Sequence, residues 1–384
     1  MHYLRNLLLF IVSLFLLAGA LNAFVDPYGF YWSPTFEGFN ARKTQADERV
    51  REVTPYRALE LQPDTLLIGS SRVQLGFAAE SDSFGERSVF NLALPGSGLT
   101  ENLKYALLHV KQNPNLRTLI IGVDYRYFLN NYGNDPGPWT TQQLMDKYNK
   151  NPETTVEKIQ RIYPALFSLD TLQDSFATVI QQRGLYNHIT RLGSNTGDYY
   201  LATIKAEGKQ RFFTHQQSGV QQRFEREQYR YRGEHGLFGI GMYQTFIDEL
   251  VAKHPNVTLY TFINPYHQSY WRVIKQTGHW PDYLQWKRDL AALADMYPQF
   301  PFYDFSLPSV ETLEDPDYAK NREPMVWFWE PAHYRPAMGD RIIETMFASE
   351  QENADWPIRL TGNNINRAIA QSEAGLSAKL TGLD

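Results

Sequence analysis

Four short stretches of the sequence hold the groups that acyl transfer requires. The first is Gly69-Ser70-Ser71-Arg72, which cuts off the apolar run Thr65–Gly69. A glycine there permits a tight turn, and a serine that then opens a helix presents its hydroxyl to the cleft beyond the strand. The second is Pro95-Gly96-Ser97-Gly98, after the run Ser88–Leu92. Its N–H groups can turn inward, and the helix it opens aims its positive end at the same place. The third is Asp124, directly after Thr118–Val123, and the fourth is Glu330-Pro331-Ala332-His333 within Trp327–Ile343. If that loop makes one turn, the carboxylate can accept from one ring N–H and fix the tautomer. The other ring nitrogen is then left to take a proton from a serine hydroxyl.

Taken singly, each stretch has a plainer reading. Ser and Asp are favoured helix caps, glycine-rich tetrapeptides are ordinary turns, and a histidine among aromatics is usually structural. Their joint order carries the argument. A nucleophile after the first strand, backbone donors after the second, a polar side chain after the third and an acid-x-x-His pair near the end make up an acyl-transfer site.

The elements that must position these groups are legible as apolar runs alternating with helical patterns. Val257–Ile263 and Pro301–Phe305 join the three runs already named as strand candidates, and Leu99–Gln112, Met242–His254, Tyr283–Met296 and Pro336–Ser349 carry apolar residues at helical spacing. Continuous apolar runs suit strands buried on both faces, so the expected fold is α/β: a doubly wound, flavodoxin-like parallel sheet of about five strands. In such a sheet ligands bind at the carboxyl ends of the strands, where all four stretches fall.

With these residues in place, the chain resembles the SGNH/GDSL hydrolase superfamily over roughly Asp64 to Ser349. It looks closest to the membrane-anchored SGNH-like proteins encoded with membrane-bound O-acyltransferases, such as those of alginate acetylation and teichoic-acid D-alanylation. "GSSR", "NLALPG" and the final "HY.P..G" segment carry the likeness. The resemblance implies Ser71 as nucleophile, His333 as base, Glu330 as its orienter, and an oxyanion hole from Ser71, Gly96 and the position of Asp124. It also implies an integral-membrane acyltransferase as partner, and no cofactor. Two departures stand out. The third block has Asp124 where the family has Asn, and an ionised carboxylate would repel an oxyanion; the last block has Glu330 where Asp is usual, one methylene longer. Arg72, next to the nucleophile, is a candidate either for pairing with Asp124 or for binding a uronate carboxylate of a polysaccharide, beside the plainer reading of a surface ion pair.

The remaining sequence sets the context. Residues 1–25 join a short start bearing Arg5 to an uncharged run from Leu7 to Val25. Its length favours a retained membrane anchor, although Ala18-Gly19-Ala20 offers a signal-cleavage site; Arg5 predicts export of everything downstream. Residues 26–61 read as a connector without chemistry, 62–350 as the SGNH-like domain, about 130–240 as a largely helical insertion, and 351–384 as a tail. A net charge of −5 and the lack of any Lys/Arg stripe offer nothing to a polyanion, so nucleic acid is not an expected partner. The absence of cysteine removes disulfides and thiol chemistry, and the nine histidines show no metal-ligand spacing.

The expected activity is therefore an exported, membrane-tethered O-acyltransferase or esterase, acetyl being the expected group and a cell-surface or secreted polysaccharide the substrate. Two rivals remain open: a plain carboxylesterase or lipase, and an inactive SGNH scaffold that binds polysaccharide or a membrane acyltransferase complex.

Overall fold

The computed structural model describes residues 2–131, 155–225, 229–231, 239–348 and 356–377. The parts of the insertion and tail between and beyond these lie outside the described residues. The chain opens with α1 (His2–Val25), followed by α2 (Val50–Leu61). Next come β1 (Thr65–Ile68), α3 (Ser71–Gly76), β2 (Val89–Asn91), α4 (Leu99–Gln112) and β3 (Thr118–Val123). The insertion contributes β4 (Leu129–Asn131), α5 (Thr155–Phe167), α6 (Leu169–Ile180), α7 (Asp198–Glu207), α8 (Lys209–Phe224) and β5 (Tyr229–Tyr231). Alternation resumes with α9 (Ile240–Lys253), β6 (Thr258–Ile263), α10 (Gln268–Gln276), α11 (Trp280–Met296) and β7 (Phe302–Asp304). The described chain closes with β8 (Phe328–Glu330), β9 (His333–Tyr334), α12 (Pro336–Phe347), β10 (Ile358–Arg359) and α13 (Ile365–Ser377).

Five parallel strands lie in the order β2-β1-β3-β6-β7, and β10 adds to β7 in the antiparallel sense. The order reverses at β1, so a switch point falls between β1 and β3, where a doubly wound sheet opens its ligand crevice. Side-chain alternation explains why helices cover both faces. Leu66, Ile68, Leu119 and Ile121 enter one apolar cluster with α4 and α9, while Leu67, Ile120 and Phe262 enter another with α3 and α12. Each such burial contributes about 1.5–3 kcal/mol, which is why these strands read as continuous apolar runs.

Two expectations need correction. The tail is part of the domain: β10 extends the sheet, and Ser372 of α13 accepts a hydrogen bond from the buried Lys287 at 2.9 Å. The connector is likewise folded onto the domain. Asp26 accepts from the Phe30 N–H at 2.8 Å, Lys43 donates to the Val25 carbonyl at 2.9 Å, and Arg51 ties α2 to Glu101 of α4 at 2.9 Å. Arg51 also donates to the Pro95 carbonyl at 2.8 Å, which anchors the turn after β2. α1 is long and apolar enough to cross a membrane, and most of its side chains up to Leu17 are exposed.

Candidate active site

β1 stops at Gly69 because the next element approaches too closely for a side chain. A Cβ there would lie 2.4 Å from Cγ2 of Val73. Ser70 caps α3, its hydroxyl accepting from the Arg72 N–H at 3.3 Å, so Ser71 becomes the first helical residue. Its N–H therefore belongs to the unpaired donors of a helix start. Ser71 Oγ lies 2.8 Å from Nε2 of His333. On the far side of the ring, Nδ1 of His333 bonds Oε1 of Glu330, and the other Glu330 oxygen accepts from the Ala332 N–H at 2.9 Å.

This chain of contacts fixes proton roles. Nδ1–H donates to the carboxylate, which leaves Nε2 to accept from the serine hydroxyl. Burial works to raise the Glu330 carboxyl, yet the His333 ring and the Ala332 amide outweigh it and hold the group below its ordinary range. Glu330 is fully buried, while the imidazole keeps 18% of its side chain open to the cleft. The expected helical turn between the two is not what joins them. Glu330 and His333 face each other across the tight β8–β9 hairpin, with Pro331-Ala332 as its tip. Spacing of three residues thus closes the pair by cross-strand pairing.

α3 is clamped against this hairpin by close packing. A Cβ on Gly76 would fall 1.9 Å from the Tyr334 ring, so only glycine lets α3 lie so near the residue after His333. Asn91, at the end of β2, donates from Nδ2 to the Val73 and Phe77 carbonyls at 3.1 Å, tying the free carbonyls of the short helix to the sheet.

Arg72 and Asp124 occupy a different environment from the one a substrate or oxyanion needs. Arg72 donates from Nε to the Ala332 carbonyl at 2.7 Å, from one terminal nitrogen to Tyr270 OH at 3.0 Å, and pairs through the other with Asp124 at 3.0 Å. Its guanidinium centre lies 5.1 Å from the ring centres of both Tyr266 and Tyr270. All arms of the fork are spent inside the protein, so the uronate-binding role is corrected to a structural one. Burial opposes this charge, but the Asp124 carboxylate reverses the balance and raises the Arg72 pKa well above its ordinary value. Asp124 is completely buried and accepts from Ser70 Oγ at 3.1 Å, Asn264 Nδ2 at 3.1 Å and Tyr266 OH at 3.0 Å. Every partner is a donor or a cation, the surroundings a carboxylate requires, so Asp124 is not an oxyanion donor.

The backbone donors remain. Gly96 sits at an exposed turn with φ +68°, and the turn is stitched to the loop before Ser71: Leu94 N–H and Ser97 Oγ both donate to the Gly69 carbonyl at 3.0 Å. Ser71 and Gly96 thus belong to adjoining turns at the carboxyl edge of the sheet.

Three contributors escaped the sequence reading. Asn264, directly after β6, donates to Asp124 and accepts from Tyr334 OH at 2.8 Å, bridging two strand ends to the residue after the base. Tyr266 sits two residues on; reading the residues after β6 as was done for the other strands would have found both. Tyr200, on α7 of the insertion, places its ring 5.8 Å from the His333 ring and 5.7 Å from Trp329, forming an aromatic wall. Only the fold brings it there. Among the described residues no group of His, Asp and Glu is arranged to hold a metal ion.

No family model matches the chain, no curated protein matches it, and no solved structure matches it.

Proposed function

We propose that the protein is a membrane-tethered serine acyltransferase or esterase of the SGNH type, acting on polysaccharide with acetyl as the group moved. The observation that carries this reading is the 2.8 Å contact between Ser71 Oγ and a His333 ring whose other nitrogen is held by a buried Glu330. The nucleophile's place after β1, beside the switch in strand order, supports it. So does the tethered turn bearing Gly96.

In this mechanism Ser71 Oγ attacks the donor carbonyl while Nε2 of His333 removes the hydroxyl proton. The oxyanion is received by the amides of Ser71 and Gly96. Collapse breaks the bond to the leaving alkoxide, which takes the proton back from His333, and leaves an ester on Ser71. An incoming hydroxyl, from sugar or water, loses its proton to His333, attacks that ester, and releases Ser71 as the ring returns the proton. Glu330 stabilises the imidazolium formed at each stage. Arg5 at the start of α1 points to a domain facing away from the cytoplasm, where an integral-membrane acyltransferase is the expected donor partner. The partly exposed Tyr200 ring beside His333 suits the face of a sugar ring and favours a saccharide acceptor over water.

A second reading, an SGNH scaffold without turnover, draws on Asp124, since the third block supplies no side-chain amide to the oxyanion. The deciding test incubates the full chain with an activated acetyl ester and a panel of uronate-containing and neutral oligosaccharides. Acetylated oligosaccharide, absent with His333→Ala, supports the transferase; ester hydrolysis alone supports the esterase; neither product supports the scaffold.

A further inference from the structure

We infer that the corner between α5 and α6 dips into the lipid leaflet beside α1, giving the domain a second, monotopic contact with the bilayer. The inference rests on α1 being a membrane span and adds a separate segment to it.

The corner is built onto the apolar helix itself. The Phe167 ring stacks on Phe15 with centroids 4.7 Å apart, and it fills the space where a Cβ on Gly19 would stand, 2.5 Å from its Cε1. Asn22 of α1 donates to the Leu166 carbonyl at 2.8 Å and accepts from Ser175 Oγ at 2.9 Å. Asn22, near the domain end of the helix, is thus satisfied by α5 and α6.

Helix dimensions set the depth. The 24 residues of α1 run about 36 Å, about 6 Å more than a hydrocarbon core of about 30 Å. Gly19 and Phe15 stand six and ten residues before Val25, roughly 9 and 15 Å below the end of the helix. With the excess length on the domain side, Phe167 lies about 3–9 Å inside the hydrocarbon, the range for monotopic helices.

The sequence of the corner agrees with that depth. Ile162–Leu169 (IYPALFSL) contains no charge; the flanking charges are Arg161 and Asp170, and Asp170 is exposed. Leu169 is 81% exposed, and Tyr163 and Pro164 are exposed beside it. A leucine so bare at the tip of a helical corner, next to a lipid-facing helix, finds its partner in acyl chains.

The absence of cysteine allows a clean test with the full chain. Leu169→Cys, Leu14→Cys in α1, and Met296→Cys at the end of α11, on the β7–β10 side of the sheet, are each labelled with a small fluorophore. Each is then reconstituted into phosphatidylcholine/phosphatidylglycerol vesicles carrying doxyl lipids or bathed in iodide. The expected result is loss of fluorescence to doxyl lipid at position 169 comparable to that at 14, with iodide effective only at 296. Iodide quenching at 169 while 14 stays lipid-quenched overturns the inference and leaves the span intact. Iodide quenching at 14 as well removes the span and the inference together. Iodide quenching at 169 in pure lipid that disappears in native membranes assigns the corner to a membrane protein instead, and also overturns it.

Discussion

Ser71 and Arg72 are neighbours in sequence and end in opposite surroundings. Ser71 faces a partly open cleft and one imidazole, whereas Arg72 lies in a closed nest with Asp124, Tyr270 and the Ala332 carbonyl. Successive helical residues diverge by roughly 100°, so the first turn of α3 sends one side chain to the cleft and the next beneath it. The two clusters also differ in how completely they are satisfied. The triad keeps an exposed imidazole edge for an incoming group; the Arg72–Asp124 cluster offers no opening. What sets them apart is access: Glu330 reaches the cleft through the His333 ring, whereas Asp124 is enclosed as the counter-ion of Arg72. The clusters are nonetheless joined, because Arg72 holds the carbonyl of Ala332, the residue before His333.

The strongest way to probe the first cluster is Glu330→Gln. The amide keeps the volume but can hold the ring in the wrong tautomer, and acylation by an activated ester is expected to fall about 10⁴-fold with the thermal midpoint little changed. An unaltered rate would detach Glu330 from the mechanism.

For the second cluster, Asp124→Ala strands a buried guanidinium and is expected to cost about 3–5 kcal/mol in denaturant unfolding. Asp124→Asn sharpens the contrast. It supplies the amide that the third block of SGNH hydrolases carries, yet at this position it meets Arg72 and not the cleft, so stability is expected to fall and acylation not to quicken. Faster acylation would restore Asp124 to the oxyanion site.

Acid acts first outside both clusters, at His267. His267 donates from Nε2 to the Glu314 carbonyl and accepts at Nδ1 from the Ser269 N–H, and burial lowers its pKa to about 4. Between that value and the unfolded value of 6.5 the unfolded chain binds the proton and the native chain does not. Stability therefore drops as pH falls through this window, by on the order of 3 kcal/mol for this group. The depressed Glu330 pKa acts in the same direction at lower pH, as protonation removes its bond to His333. His267→Gln should reduce the slope of unfolding free energy between pH 6.5 and 4 without abolishing it, since burial also lowers the His109 pKa to about 4; an unchanged slope would place the titration elsewhere. The smallest effect is expected at the aromatic wall. Tyr200→Ala should raise KM for a saccharide acceptor by up to about tenfold, the equivalent of about 0.5–1.5 kcal/mol, with acylation by small esters unaffected.

The sequence made some of this visible for physical reasons that can be named. β3 matches its apolar run from Thr118 to Val123 because both faces of that strand are buried, leaving no ambiguity of period. Ser71, His333 and Glu330 were legible because strand-end chemistry and i, i+3 spacing are local. The direction of Arg72 was not, since it depends on helical phase relative to the sheet. α7 and α8 were missed inside a Tyr- and Gln-rich stretch whose apolar residues are few; Phe212, Phe213, Val220 and Phe224 are buried only by packing against other parts of the chain. α2 was hidden by Pro55 and by charges that are half-neutralised through pairs such as Arg51 with Glu101.

The central claim is that Ser71 is a working nucleophile. Intact-mass spectrometry of the full chain after exposure to an activated acetyl ester tests it most directly, with Ser71→Ala alongside. The account predicts one added acetyl group that maps to Ser71 and is absent from the variant. An adduct that persists in Ser71→Ala, or none where a serine esterase is labelled under the same conditions, would contradict it.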